Sequence, residues 1–164
     1  MSVLPIVLAP GDGDVLDFAP GELLVWKGTL ATTGSFDQFE LTAEPGHQGA
    51  PLHAHAAVDE CFYVLDGAFR FRAGDAVVVA ETGSFLFAPR GTPHTWANAL
   101  ERASRMLLTF VPGGMRPFFD AAAPVMHSEP LDAAALTAVN EAHGTTVLGP
   151  PLPSGPDAGG TSLR

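Results

Sequence analysis

The chain has 164 residues, which is the size of one domain with short flanking extensions and too small for two. Hydrophobic residues make up 46% and charged residues 16%, enough apolar material for a core and too little charge for a largely disordered chain. Eight basic side chains against 18 acidic ones leave a net charge of −10 with no basic cluster, so nucleic acid and anionic membrane are not expected partners.

Residues 1–21 read as an N-terminal extension. The apolar run from Val3 to Ala9 has no positive n-region and no small-residue cleavage site, and no stretch approaches the roughly 20 apolar residues that span a bilayer; a cytoplasmic protein is expected. From Glu22 to Val111 polar and apolar residues alternate, punctuated by Gly28, Gly34, Pro45-Gly46, Gly67, Gly74, Gly83, Gly91 and Pro112-Gly113-Gly114. This predicts strands over 22–27, 36–43, 51–56, 60–66, 68–73, 75–81, 84–88, 93–99 and 104–111. Short strands at this spacing without intervening helices indicate an all-β antiparallel sandwich or barrel. Past Pro112 the pattern changes. Met115 to Ala122 predicts one short helix and Leu131 to His143 a second, stopped by Gly144. The expected layout is therefore a barrel over 22–114, a helical segment over 115–153 packed on it, with the helix over 131–143 as a lid, and a loose Gly/Ser/Pro-rich tail over 154–164. There is no internal repeat. The single cysteine, Cys61, excludes an internal disulfide and permits a reducing compartment; it points away from Glu60 and reads as a small buried hydrophobe.

The chemistry concentrates in two segments. His53 and His55 are followed by Glu60 and Gly67, and strand alternation turns both imidazoles to one face as a two-toothed clip for one ion. Glu60 shares its face with Phe62 and Val64, so its carboxylate enters an apolar interior and needs a compensating cation. In the second segment Gly83, Pro89, Gly91, His94 and Asn98 recur at defined offsets. Pro89 and Gly91 shape the turn before the strand carrying His94, with Trp96 and Asn98 on the same face as that histidine.

These two segments resemble the paired motifs of the cupin superfamily, and the chain is similar to small single-domain cupins of the quercetin dioxygenase-like kind. The second motif fits at every defining position. The first departs at its opening glycine, where this chain has His47, with Gly46 one residue earlier. The resemblance implies a jelly-roll barrel with short C-terminal helices and one divalent ion (Fe, Ni, Mn, Co, Cu or Zn) held by His53, His55, Glu60 and His94. Three neutral imidazoles and one carboxylate suit all these metals alike and leave open positions for chemistry.

Phe62 and Trp96 are expected to wall an apolar pocket, and Phe69, Phe71, Phe85 and Phe87 to fill the core. Arg70 and Arg72 read as outward salt-bridge partners. His47, His127 and His143 read as loop or helix-end residues, His47 alone approaching the mouth of the pocket. The expected function is a metal-dependent dioxygenase acting on a small phenolic or enolisable, flavonol-like substrate, with Glu60 as both ligand and catalytic proton acceptor, a role the resemblance implies. Two alternatives are a non-redox metal isomerase or cyclase and a non-enzymatic small-molecule-binding cupin. The apolar N-terminal segment and the strand over 22–27 suggest a covered sheet edge and hence a homodimer.

Overall fold

Alternation of inward apolar and outward polar side chains makes the middle of the chain into sheets. In the computed structural model, which describes residues 5–28 and 34–163, all nine predicted strands form, each within one residue at either end. They are β2 (Glu22–Gly28), β3 (Asp37–Ala43), β4 (Leu52–His55), β5 (Asp59–Asp66), β6 (Ala68–Ala73), β7 (Ala76–Glu81), β8 (Phe85–Ala88), β9 (His94–Asn98) and β10 (Ser104–Val111). Three further strands join them: β1 (Asp14–Ala19), β11 (Thr145–Gly149) and β12 (Thr161–Ser162). Each added strand lies at a sheet edge, where one face is solvated and the apolar alternation that betrays a strand is weak.

One sheet runs β1-β2-β3-β10-β5-β8 and the other β11-β4-β9-β6-β7-β12. From β3 onward the chain crosses repeatedly between them, so β4, β6, β7 and β9 lie in one sheet while β5, β8 and β10 lie in the other. Every pairing is antiparallel except that of β12 on β7. The inward faces meet in one core of Leu24, Phe39, Leu41, Val64, Phe69, Met106 and their neighbours. At one end the core is closed by α1 (Arg116–Met126), whose Phe119 packs edge-on against Phe18, Trp26 and Phe39. Asp37 fixes the start of that helix: its Oδ2 accepts from the backbone N–H of Gly114, Met115 and Arg116 at 2.7, 2.6 and 3.3 Å, meeting donors that a helix N-terminus leaves free. The second helix, α2 (Ala133–Ala142), is capped by Asp132, whose carboxylate accepts from Ala135 N–H. No helix among the described residues is long and apolar enough to cross a membrane.

Two expectations about side chains are corrected. Phe85 and Phe87 are exposed rather than core, because β8 turns Leu86 and Ala88 inward and leaves the two phenylalanines on the outer face beside Cys61 and Tyr63. Arg70 points outward as expected but is 1% exposed and bonded to carbonyls rather than to a carboxylate. Its guanidinium donates to the carbonyls of Pro153, Gly155 and Gly159. The segment read as a loose tail is thereby tied across the outer face of β6 and ends as β12 on the edge of β7. β6 sits between β7 and β9 in the sheet and is covered on both faces, which period-two reasoning cannot anticipate.

Candidate metal centre

β4 and β9 are antiparallel neighbours in a register that sets His53 directly beside His94, a spacing at which opposed side chains touch. His55, two residues along β4, faces the same way. Glu60 arrives from the opposite sheet on β5. The Nε2 of His53 lies 3.2 Å from that of His55, and Glu60 Oε2 lies 3.2 Å from His55 Nε2 and 2.8 Å from His94 Nε2. All four side chains are buried, and one ligand atom from each falls within 4.8 Å of all the others. Neighbouring donors around an ion with bonds of about 2.1 Å stand about 3.0–3.4 Å apart, so these separations already approach those of a coordination sphere.

The groups behind the histidines aim them. His53 Nδ1 donates to Pro51 O at 2.7 Å and His94 Nδ1 to Thr92 O at 2.9 Å. A carbonyl only accepts, so both Nδ1 atoms carry hydrogen, and in the neutral ring each Nε2 presents a lone pair to the common centre. His55 Nδ1 meets Thr145 Oγ1 at 3.0 Å, a hydroxyl able to serve either tautomer. The donor set therefore fits a divalent ion. Without one, hydrogen must fill the same space: His94 with both nitrogens donating is an imidazolium.

The electrostatics agree. Burial alone would push Glu60 up, but hydrogen bonds from His55 and His94 and their charge hold it well below the usual carboxylate range. Burial also works against a charged His94, yet its hydrogen bond to Glu60 and that residue's charge raise it above the usual 6.5. His53 goes the other way: burial first, then the charge of His94, push it down to about 4. At pH 7 His53 is already neutral, whereas any proton that the hydrogen bond to Glu60 holds on His94 Nε2 must leave before a metal binds there. Calorimetry of metal binding in buffers of different ionisation heat is therefore expected to show release of up to about one proton at pH 7, fading as the pH rises past the raised value of His94. No release at pH 7 would contradict the imidazolium.

Three of the four ligands, His53, His55 and Glu60, open onto a cavity of about 110 Å³. Its walls include Phe39, Phe110, Phe119 and Leu108 from the core and Leu136 and Asn140 from α2. Trp96 lines it as expected. Gly49 pins that indole from behind: it has φ +63°, and a Cβ there would come within 2.7 Å of the Trp96 ring, a position open to glycine alone. Phe62, the other expected wall, stands instead in a separate hollow on the far side of His94, packed against Phe71. It shares an inward face with Glu60, but being two residues along β5 displaces it from the cavity. Asn98 is a structural knot rather than a site residue. Its Nδ2 donates to the carbonyls of Ala43, Glu44 and Arg102, and its Oδ1 accepts from Leu100 N–H and Ser104 Oγ.

The family model described as "Cupin domain" matches residues 39–110. Among solved structures, KdgF from Halomonas sp. is 28% identical with a TM-score of 0.55, over 62% of this chain and 87% of its own. An RmlC-like cupin from Shewanella frigidimarina is 19% identical with a TM-score of 0.54, over 65% of this chain and 88% of its own. The chain carries a domain of the cupin superfamily over residues 39–110. Its two sheets are the jelly-roll barrel of that superfamily, and the matched span holds all four ligands. Streptomyces Pac13, described as a nucleoside dehydratase, shares the cupin fold at 17% identity and a TM-score of 0.53, over 68% of this chain and 85% of its own. No curated protein matches the chain. Cupins so similar in fold carry different chemistries, so what this cupin does rests on its own cavity.

The sequence reading left out three polar residues of that cavity: Glu22, Asn140 and Thr145. Thr145 and Asn140 come from an edge strand and a helix that only the tertiary fold brings to the barrel. Glu22 begins the first predicted strand, where an acidic residue looks like an ordinary solvated end.

Proposed function

We propose that this cupin is a metal-dependent dioxygenase acting on a small phenolic or enolisable molecule about the size of one ring. The observation that carries the reading is the junction of the three-histidine, one-glutamate cluster with an aromatic and aliphatic chamber. Among the described residues lining it there is no Lys or Arg, so phosphorylated or otherwise anionic substrates lack the partners they need. A polyhydroxylated sugar would likewise leave many hydroxyls unmatched against these walls. The volume favours the small end of the class. At about 110 Å³ the cavity is smaller than one of about 150 Å³ that holds benzene and far below the roughly 300–1,000 Å³ of drug-sized sites, so even a one-ring substrate extends through its open side and a flavonol is too large for it.

His53, His55 and His94 would hold the ion through Nε2 and Glu60 through Oε2. Bound there, a divalent ion supplies Lewis acidity toward an ionised substrate oxygen and, if redox-active, a path for electrons between substrate and O2. Phe119, Phe110 and Trp96 keep water out and orient a flat substrate against the ligands. Glu60 has Oε2 engaged by two imidazoles, which leaves only Oε1 for the proton-accepting role implied by family resemblance. A homodimer belongs to this proposal as well: Ile6, Val7 and Leu8 are exposed and form an apolar strip suited to a second copy.

The test is oxygen consumption by protein loaded in turn with Fe, Ni, Mn, Co and Cu, with catechol and 2,4-pentanedione as probes. Uptake that disappears in His94→Ala is expected. Turnover by the zinc-loaded protein under argon would move the reaction to the isomerase class, and absence of uptake across these metals and probes would remove the dioxygenase reading.

A further inference from the structure

The departure from the cupin pattern at the opening of the first motif places an imidazole where the motif has glycine, and that imidazole has a specific partner. His47 Nε2 lies 2.8 Å from Glu22 Oε2. Glu22 is 6% exposed and lines the same cavity as His53, His55 and Glu60. Leaving the metal ligands aside, it is the one ionisable side chain on that wall among the described residues. No donor among the described residues is seen at its other oxygen, Oε1.

His47 itself faces the opposite way. It lines a separate, open hollow with Pro20, Gly21 and Gly46 on the outer surface, and its Nδ1 lies over Gly21, 3.4 Å from where a Cβ would stand. Its ring packs on Trp96 at 5.7 Å between centroids. The backbone holds it in place: its N–H donates to Glu44 O and its carbonyl accepts from Asn98 N–H. The pair thus stands in the wall between the chamber and the outer hollow.

A buried carboxylate in an apolar wall is costly unless matched. An Arg or Lys would match it permanently and quench it as a base. An imidazole instead donates one Nε2–H, orients the carboxylate and leaves the second oxygen free to take a proton. We infer that Glu22 is a second acid–base residue of the cavity, accepting the substrate proton at Oε1, with His47 as the positioning residue that aims it. This rests on the reading of the chamber as the site where an enolisable or phenolic substrate is held. In the step, the substrate O–H or acidic C–H bond breaks and its electron pair stays on the substrate as enolate or phenolate. The proton passes to Glu22 and is returned to the product.

The experiment needs no oxidation. Zinc-loaded protein is mixed with 2,4-pentanedione under argon, the appearance of the enolate absorbance is followed by stopped flow, and binding is measured separately by calorimetry. Glu22→Gln is expected to bind the diketone and zinc as the parent does while forming enolate about 100-fold more slowly, the low end of what a positioned base contributes. His47→Ala opens the outer hollow; it is expected to be slowed as well and to be restored by added imidazole, whereas Glu22→Gln is not restored. Enolate formation at the parent rate in Glu22→Gln, with zinc content unchanged, would overturn the inference, return the proton to Glu60 and leave the dioxygenase reading standing. No enolate in the parent protein would sink the substrate class and this inference with it.

Discussion

Replacing His94 by Ala is expected to weaken divalent-metal binding about 100-fold and to erase most of the thermal stabilisation that metal confers. Four-ligand structural sites bind with apparent free energies of roughly 10–16 kcal/mol, so one ligand of four carries about 3 kcal/mol, or about two decades of affinity. At a metal concentration about 100 times its Kd the parent protein gains about 2.7 kcal/mol, worth about 5–10 °C in Tm for a chain of this length. At that same concentration the variant sits near its own Kd and gains about 0.4 kcal/mol, a shift of about 1 °C. The comparison is made with and without metal for each protein, because the substitution also removes the partner of a buried carboxylate. His94 donates to Glu60 at 2.8 Å, and breaking such a buried pair costs about 3–5 kcal/mol by itself. Differential scanning fluorimetry with a chelator and with added Ni, Zn or Co reads both effects. An undiminished metal shift in His94→Ala would show that the cluster does not bind as a unit.

Arg70→Ala is expected to cost about 3 kcal/mol, or about 6–12 °C in Tm, and to open the chain after Pro150 to proteases. The guanidinium is 1% exposed and reaches three backbone carbonyls, those of Pro153, Gly155 and Gly159. Truncation leaves these acceptors without their donor, each a loss of about 1–3 kcal/mol if they stay buried. Release of the segment into water recovers part of it. Arg70→Lys is not expected to rescue, since one ammonium cannot reproduce a planar fork addressing three separate oxygens. Thermal melts and limited proteolysis of the two variants read this directly. Parent-like resistance in Arg70→Lys would mean that charge alone anchors the segment.

Most of the nine predicted strands were legible because half-burial writes itself as a period of two, clearest in β2, β3 and β10. The edge strands β11 and β12 and the covered outer face of β6 were not, because their partners lie far along the chain: β11 pairs with β4 and β12 with β7; β1 pairs with its neighbour β2 but, mostly exposed at a sheet edge, carries little apolar alternation. Of the site, local spacing determined the shared face of His53 and His55 and the apolar setting of Glu60, while the joining of His94 to them was implied by the family resemblance. That the carboxylate of Glu60 meets His94 from the opposite sheet depends on how two sheets close on each other. Phe62 and Trp96 show the same division. Both point inward as alternation requires, yet only Trp96 borders the chamber, because the boundary of a cavity is set by packing between elements.

Local order along the polymer, through strand alternation and turn glycines, thus determined that this protein is an all-β sandwich or barrel with two imidazoles on one strand face and a carboxylate in an apolar one, and the motif resemblance joined them into a cluster. Tertiary structure alone decided the rest: the bounds of the chamber, the pairing of Glu22 with His47 across 25 residues and the burial of Arg70 beneath the C-terminal segment. These depend on side chains meeting from distant parts of the chain, and a periodic pattern within one strand carries no information about which distant strand or loop will cover it.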